Sequence, residues 1–273
     1  MMNSEKKIKI AIAGAKGRMG HMLIEATLSD PQFVLCGALV KDQSAVCDQI
    51  DAAAFLGKKT DVYLSHDAQT VIAQADVLID FSTPAATMNH LEIASHHQTK
   101  MVIGTTGFSL EQKELIKAFG EKLPIVFSPN MSLGVNLIFK ILQQAAAIIP
   151  NHYDIEITEA HHRNKVDAPS GTALKMGEIL AAEYNRNFDD CAVYDRHGVT
   201  GKREDHAIGF STIRGGDIVG EHHVFFIGKG ERIEIAHRST SRYSYAQGSL
   251  LAAQFLVKQP NGLYDMQQVL ENI

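Results

Sequence analysis

Residues 159 to 172 read Glu-Ala-His-His-Arg-Asn-Lys-Val-Asp-Ala-Pro-Ser-Gly-Thr. Two histidines, an arginine and a lysine fall between His161 and Lys165. Histidine titrates near neutrality and is the commonest general acid. Lysine is a cation with donors and no acceptor, suited to a carboxylate or to proton delivery. Beyond Pro169, Ser170-Gly171-Thr172 has the composition of a helix start. Backbone N–H groups there lack intrahelical partners and bind carboxylates as readily as phosphates. Gly171 carries no side chain to obstruct them. Proton donors beside an anion cradle suit a small acidic substrate that is protonated as it reacts. Metal chemistry fits less well. Neighbouring side chains on an extended segment point to opposite faces, so His161 and His162 do not converge on one ion. No HExxH or cysteine set completes a site. Arg163 has a structural alternative, an ion pair that holds the loop. The methionines read as core filler.

A second group lies near the N-terminus, where Gly14-Ala15-Lys16-Gly17-Arg18-Met19-Gly20 follows the apolar run Ile8 to Ala13. Glycines at a strand-to-helix junction allow a sharp turn and close approach of backbone to a pyrophosphate. The helix start then offers N–H groups and the positive end of its dipole. The spacing is G-x-x-G-x-x-G rather than G-x-G-x-x-G, and its place after the first buried strand strengthens the reading. Cofactor choice falls to the end of the second strand, Leu39-Val40-Lys41-Asp42. An acid there binds the ribose 2'-hydroxyl of NAD, and a base accommodates the 2'-phosphate of NADP. Lys41 favours NADP and Asp42 keeps NAD open, with Lys16 and Arg18 adding positive charge. NADPH is therefore expected as the preferred cofactor, with some use of NADH. Gly104-Thr105-Thr106-Gly107 and Ser128-Pro129-Asn130-Met131 follow later strands, where ligands of such sheets collect. Their glycine, threonine and asparagine suit backbone approach and hydrogen bonds to a nicotinamide carboxamide.

The elements that must position these groups are legible as periodicity. Strands are expected at Ile8–Ala13, 33–40, 77–81, 101–104 and 124–128, with helices at 18–28, 85–97 and 109–120 between them. Buried strands alternating with helices specify an α/β, doubly wound parallel sheet. After Asn130 the texture changes. A helix at 134–149, a strand at 153–158 and a helix at 172–183 precede strands at 207–213, 218–227 and 232–237, joined by short turns. These suggest an antiparallel or mixed sheet, hence a second domain. A helix at 244–258 and a short final segment end the chain.

The bulk properties agree. The chain has 273 residues, enough for two domains, and is 45% hydrophobic and 21% charged, unlike a disordered protein. A net charge of -5 argues against a nucleic-acid partner. Three cysteines without CxxC spacing fit reduced thiols. The first apolar run is too short for a signal segment or a membrane span, so a soluble cytoplasmic protein is expected.

Taken together, these residues resemble the dihydrodipicolinate reductase family, also called 4-hydroxy-tetrahydrodipicolinate reductase, of bacterial lysine and diaminopimelate synthesis. The resemblance rests on Gly14 to Gly20, Gly104 to Gly107, Asp217-Ile-Val-Gly-Glu-His222 and above all Glu159 to Thr172. It spans nearly the whole chain. It implies reduction of a cyclic dicarboxylate to tetrahydrodipicolinate by NAD(P)H. It implies that His161 is proton donor and acceptor and that Lys165 also donates a proton. His162, Gly171 and Thr172 would hold substrate, and Ser170 joins them from the reading of the Ser170-Gly171-Thr172 turn as an anion cradle. Cofactor contacts would fall on Gly14, Ala15, Lys16, Gly17, Arg18 and Met19, on Lys41, on Gly104, Thr105 and Thr106, and on Ser128, Pro129, Asn130 and Met131. The implied architecture is a Rossmann-like domain (1–130 and 241–273) interrupted by an α+β substrate-binding and tetramerisation domain (131–240). Homotetramer formation through the second sheet and domain closure during hydride transfer are implied too.

Two departures stand out. Some members carry an acid followed by arginine where this chain has Val40-Lys41, so the usual partner of the ribose hydroxyl is missing. Some carry histidine at the position of Asn164, which is accordingly not expected to carry protons. Rival readings are an aspartate- or homoserine-type dehydrogenase and a non-catalytic NADPH-sensing protein. The Asp-Ala-Pro-Ser-Gly-Thr run beside paired histidines argues against the first. The presence of both His161 and Lys165 argues against the second.

Overall fold

The computed structural model of the chain describes residues 6–41 and 47–272. Asp42, the alternative ribose partner, lies outside them. The fold divides into two units, Met1–Leu133 with Arg242–Ile273, and Gly134–Ser241. In chain order the elements are β1 (Ile8–Ala13), α1 (Arg18–Ser29), β2 (Phe33–Leu39), β3 (Leu64–Ser65), α2 (Ala68–Ala73), β4 (Val77–Asp80), α3 (Pro84–His97), β5 (Lys100–Ile103), α4 (Leu110–Gly120) and β6 (Pro124–Phe127). There follow α5 (Leu133–Ile148), β7 (Asp154–His161), α6 (Gly171–Glu183), α7 (Phe188–Cys191), β8 (Ala192–Val193), β9 (Ile208–Arg214), β10 (Gly220–Ile227) and β11 (Arg232–Ser239). The chain ends with α8 (Tyr243–Leu256), β12 (Gly262–Tyr264) and α9 (Met266–Leu270).

The first unit is built on a parallel sheet of order β12-β6-β5-β4-β1-β2-β3. Successive strand residues feed opposite cores. Ile10, Ile12, Val77, Ile79 and Val102 pack with Leu23 of α1 and Leu250 of α8. Ala11, Ala13, Leu78, Met101 and Ile103 pack with Leu91 of α3 and Ile116 of α4. Helices on both faces are the reason these strands read as unbroken apolar runs. The helix starts are locally encoded. Thr83 caps α3 ahead of Pro84, and Ser109 with Gln112 forms a capping box on α4. From β1 the chain steps to β2 and β3 on one side and to β4, β5 and β6 on the other. The order therefore reverses between β1 and β4, the usual ligand crevice of such sheets.

The second unit holds a mixed sheet of order β11-β10-β7-β9-β8, in which β10 is antiparallel to β7 and β11 while β7, β9 and β8 are parallel. Ile155, Ile157, Val224 and Phe226 pack against Leu142 of α5 and Leu180 of α6. Alternation sends Glu156, Thr158, Phe225 and Ile227 to the opposite face.

Periodicity does not reveal β3, β8 or β12. Each has two or three residues, too few to establish a period. The strand expected at 153–158 runs instead to His161. Glu159 and His161 therefore stand on a strand and not on the loop that the sequence suggests. Pairing with β9 and β10 continues through Ala160 and past it, and that pairing extends the strand.

Candidate active site

In the first unit the expected cofactor residues lie at the carboxyl ends of β1, β2, β5 and β6. Gly14 has φ +81°, a left-handed conformation that favours glycine. A β-carbon at Gly14 would collide with the carbonyl of Phe81, and one at Gly20 with the carbonyls of Gly14 and Ala15. Gly17 precedes α1 without a side-chain cap, and no acid stands in the first turn. The helix start is thus open to an anion, with Arg18 exposed beside it. The three glycines fit the three tasks of a dinucleotide turn: tight turning, close approach to the pyrophosphate, and close packing of helix on strand.

The neighbouring loops are tied together. A β-carbon at Gly104 would run into the ring of Phe81. Thr105 Oγ1 accepts from the Ser82 N–H at 3.1 Å and meets Thr87 Oγ1 at 3.2 Å. The Asp80 carboxylate, wholly buried at the end of β4, accepts from Ser82 N (2.9 Å), Ser82 Oγ (2.5 Å) and His90 Nδ1 (2.8 Å). Ser128 Oγ donates to the Asn130 carbonyl at 3.0 Å, and Asn130 Oδ1 accepts from Ser132 N at 2.9 Å. Thr105 and Met131 are buried, and Met131 belongs to the core, so their side chains are turned into the protein. Lys16 and Thr106 are exposed, as is Lys41, which follows Val40 at the end of β2. Val40 itself brings no carboxylate to the end of β2.

In the second unit the acidic centre is Glu159, only 2% exposed. The strand register sets Glu159 opposite Thr212 of β9 and His222 of β10, and His161 opposite Arg214. Arg214 grips the carboxylate with both forks, Nη1 to Oε2 and Nη2 to Oε1, each at 2.7 Å. His161 Nδ1–H donates to Oε2 at 2.6 Å, Thr212 Oγ1 to Oε1 at 3.2 Å, and the Ser170 N–H to Oε1 at 3.1 Å. Burial alone would raise the Glu159 carboxyl. The hydrogen bonds from His161 and Arg214 outweigh it and hold the group down at about 2. With Nδ1 fixed by Glu159, the other nitrogen of His161 remains for chemistry. That Nε2 faces Gly220, where a β-carbon would sit 3.1 Å away.

The remaining residues cluster around this centre. Ser170 caps α6, its Oγ accepting from the Ala173 N–H at 3.2 Å and lying 2.9 Å from His222 Nε2. Its backbone N–H is spent on Glu159, so it is not one of the open donors expected from the sequence. The N–H of Gly171 finds no partner among the described residues, and nothing lies within 4 Å of where its β-carbon would be. Thr172 follows, half-buried, in the first turn. The loop is pinned by Arg163 N to Gly216 O (3.2 Å), Gly215 N to His161 O (3.0 Å) and Lys165 N to His162 O (3.1 Å). Lys165 Nζ reaches Asp167 at 2.8 Å, and this hydrogen bond holds the Asp167 carboxyl below its ordinary range. Arg163 is exposed. The arginine that holds the loop is Arg214, whose Nη2 also donates to the Asp167 carbonyl at 2.7 Å. His162 is half-buried, with a shielded Nδ1 that lacks a partner among the described residues. Asn164 is exposed.

Glu159, Arg214, Thr212 and His222 were not legible as site residues, nor were Phe81, Asp80 and His90 in the first unit. Glu159 had a signal, since it stands two positions before His161 and so shares its strand face. His222 closes the 217–222 stretch that carries part of the resemblance, but no role attached to it there; Arg214 had no signal, because only strand pairing brings it in.

Comparison with known proteins gives a consistent picture. A family model described as dihydrodipicolinate reductase, N-terminus, matches residues 8–131, and one described as dihydrodipicolinate reductase, C-terminus, matches 134–270. The 4-hydroxy-tetrahydrodipicolinate reductase of Burkholderia thailandensis is 60% identical over 263 residues, covering 96% of this chain and 98% of that protein. That of Burkholderia pseudomallei is 60% identical over 263 residues, with 96% and 99% covered. A solved structure of dipicolinate-bound dihydrodipicolinate reductase from Paenisporosarcina sp. TG-14 superposes with a TM-score of 0.75 at 25% identity, covering 95% of this chain and 98% of that one. An amine dehydrogenase from Mycobacterium smegmatis, at 12% identity and TM-score 0.61 over 96% of each chain, shares the fold alone.

Proposed function

Because the chain belongs to the dihydrodipicolinate reductase family, we propose how its own residues divide the work of that reaction. The enzyme is a pyridine-nucleotide oxidoreductase that converts 4-hydroxy-tetrahydrodipicolinate to tetrahydrodipicolinate in lysine and diaminopimelate biosynthesis. Substrate and product differ by a ring hydroxyl exchanged for hydrogen, so hydride enters, one proton is consumed and water leaves. NAD(P)H, when bound, supplies the hydride.

The observation that carries the assignment of roles is the buried Glu159 carboxylate between Arg214, His161 and Ser170. His161 is the proton donor through Nε2. After donation its remaining proton lies on Nδ1, where Glu159 holds it, so one tautomer serves throughout. Lys165 stands three residues beyond His162 and serves as the second donor; because His161 also accepts a proton, one proton taken from the substrate offsets one of the two given, and the net consumption is one. Its present partner Asp167 is half-exposed and yields to a substrate carboxylate. His162, the Ser170 hydroxyl, the Gly171 N–H and Thr172 hold the carboxylates at the start of α6. In the first unit the N–H groups from Gly14 to Met19 hold the pyrophosphate, with Lys16 and Arg18 as cations. Gly104 to Thr106 and Ser128 to Met131 take the nicotinamide end. Lys41, with Val40 in place of an acid, makes NADPH the preferred cofactor and NADH the lesser one.

We place the enzyme in the cytoplasm. We infer a homotetramer joined through the second sheet, a reading supported by the half-exposed Phe225 and Ile227 and by Ile213, 57% exposed, on the face away from α5 and α6. Hydride must reach the substrate ring in a site shut off from water, so turnover includes a closing motion. X-ray scattering that is unchanged by NADPH plus dipicolinate would refute that step. The test of the whole assignment is a coupled assay. A synthase condenses pyruvate with aspartate semialdehyde, and this protein is then added while NADPH absorbance is followed. The wild type oxidises NADPH. His161→Ala and Lys165→Ala lose turnover while keeping NADPH affinity. No oxidation by the wild type defeats the assignment.

A further inference from the structure

Ser170 is held from three directions. Its N–H goes to Glu159, its Oγ accepts from the Ala173 N–H, and the same Oγ meets His222 Nε2 at 2.9 Å. His222 is 4% exposed, and its Nδ1 is buried without a hydrogen-bond partner among the described residues. Its ring stands edge-on to that of His161 at 5.2 Å. Burial, followed by the proximity of His161, pushes His222 down to about 3, so the ring carries a single N–H at neutral pH.

That single proton has two places to be. On Nδ1 it would be a buried N–H with no acceptor among the described residues, a rare and costly arrangement. His222 Nε2 would then accept the Ser170 hydroxyl proton, leaving Ser170 only a lone pair toward an incoming anion. On Nε2 the proton is donated to Ser170 Oγ. Both lone pairs of that oxygen are then filled, by Ala173 N–H and His222 Nε2–H, and the hydroxyl proton of Ser170, 2% exposed, is left for a third partner.

We propose that His222 is a positioning residue for substrate: it donates Nε2–H to Ser170 and so leaves the Ser170 hydroxyl proton for a substrate carboxylate at the start of α6. This rests on the reading that the 170–172 turn holds that carboxylate. His222 does not touch the substrate. It acts through Ser170, and the sequence shows no such role for it, because β10 joins the site only by pairing with β7.

Two measurements on the full-length enzyme test it. Nitrogen NMR of histidine-labelled protein, assigned by difference from His222→Gln, reports which ring nitrogen of His222 carries the proton. The proton on Nε2 is expected, and the proton on Nδ1 overturns the proposal. Titration calorimetry with dipicolinate, in the presence of NADPH, then compares wild type, His222→Gln and His222→Leu. Glutamine keeps an amide donor and leucine has none. Leucine is expected to weaken dipicolinate about tenfold, the equivalent of one lost hydrogen bond of ~1.4 kcal/mol, and to raise KM more than it lowers kcat. Glutamine is expected to restore most of the affinity. Wild-type affinity in the leucine variant overturns the proposal. A wild type that does not bind dipicolinate at all removes the carboxylate reading of the turn, and the tautomer measurement still decides the direction of the His222–Ser170 bond.

Discussion

Replacing Glu159 by glutamine keeps the shape of the side chain and removes its charge. The carboxyl is held at about 2 against an ordinary 4.5, and at ~1.4 kcal/mol per pH unit that gap is worth about 3 kcal/mol to the folded state. Because the folded value is the depressed one, the contribution is complete above about pH 5 and is lost as the pH falls toward 2. Glu159→Gln removes it at every pH and leaves the Arg214 fork facing an amide, the situation in which breaking a buried pair costs most. The expected result is a loss of about 3 kcal/mol at pH 7. In urea, where such transitions have slopes of about 2–3 kcal/mol/M, the midpoint would fall by about 1–1.5 M. The chain has no tryptophan, so far-UV circular dichroism is the appropriate signal. The difference between wild type and variant should be constant from pH 8 to 5 and shrink below pH 4.5. A difference under 1 kcal/mol at pH 7, or one that is the same at pH 7 and pH 3, would refute the assignment of the stability to this charge. Turnover should fall about 10²–10⁴-fold as His161 loses the partner that orients it, with NADPH affinity intact.

Gly220→Ala places a β-carbon 3.1 Å from His161 Nε2. Steady-state kinetics should show kcat down by about tenfold or more, ~1.4 kcal/mol in barrier, with little change in the dissociation constant for NADPH. Gly14→Ala meets both the positive φ and the Phe81 carbonyl. It should cost at least ~1–3 kcal/mol of stability by thermal unfolding and abolish cofactor binding by calorimetry. Lys41→Ala should weaken NADPH about five- to tenfold, ~1 kcal/mol for one exposed cation on a phosphate, and leave NADH affinity unchanged. Equal weakening of both cofactors would show that Lys41 does not read the 2'-phosphate.

Much of this protein follows from local physics that a sequence expresses directly. Strands such as Val77–Asp80 are buried on both faces and so read as unbroken apolar runs. Gly14, Gly17 and Gly20 mark an open helix start because no other residue tolerates Gly14's φ and the close approach of its neighbours. Thr83-Pro84 and the Ser109/Gln112 pair announce helices within four residues of chain. The histidines, lysine and Ser-Gly-Thr turn likewise sit within one short segment, so their chemistry could be read before any fold was known.

Tertiary structure decided the rest, and in each case the cause is an interaction between positions distant in the chain. The pairing of β7 with β9 and β10 extends the strand through His161 and turns a loop histidine into one fixed by Glu159. Arg214 lies 55 residues from the carboxylate it neutralises, and His222 lies 52 from the hydroxyl it meets. Only strand register places them. The edge strands β3, β8 and β12 are too short to carry a period of their own. Nor could residue type reveal that the N–H of Ser170 is occupied while that of Gly171 is open, since that depends on where a buried carboxylate lands. The sequence by itself determined which groups could do the chemistry. The fold determined which proton each of them holds, because hydrogen-bond partners and burial arise only when remote strands meet.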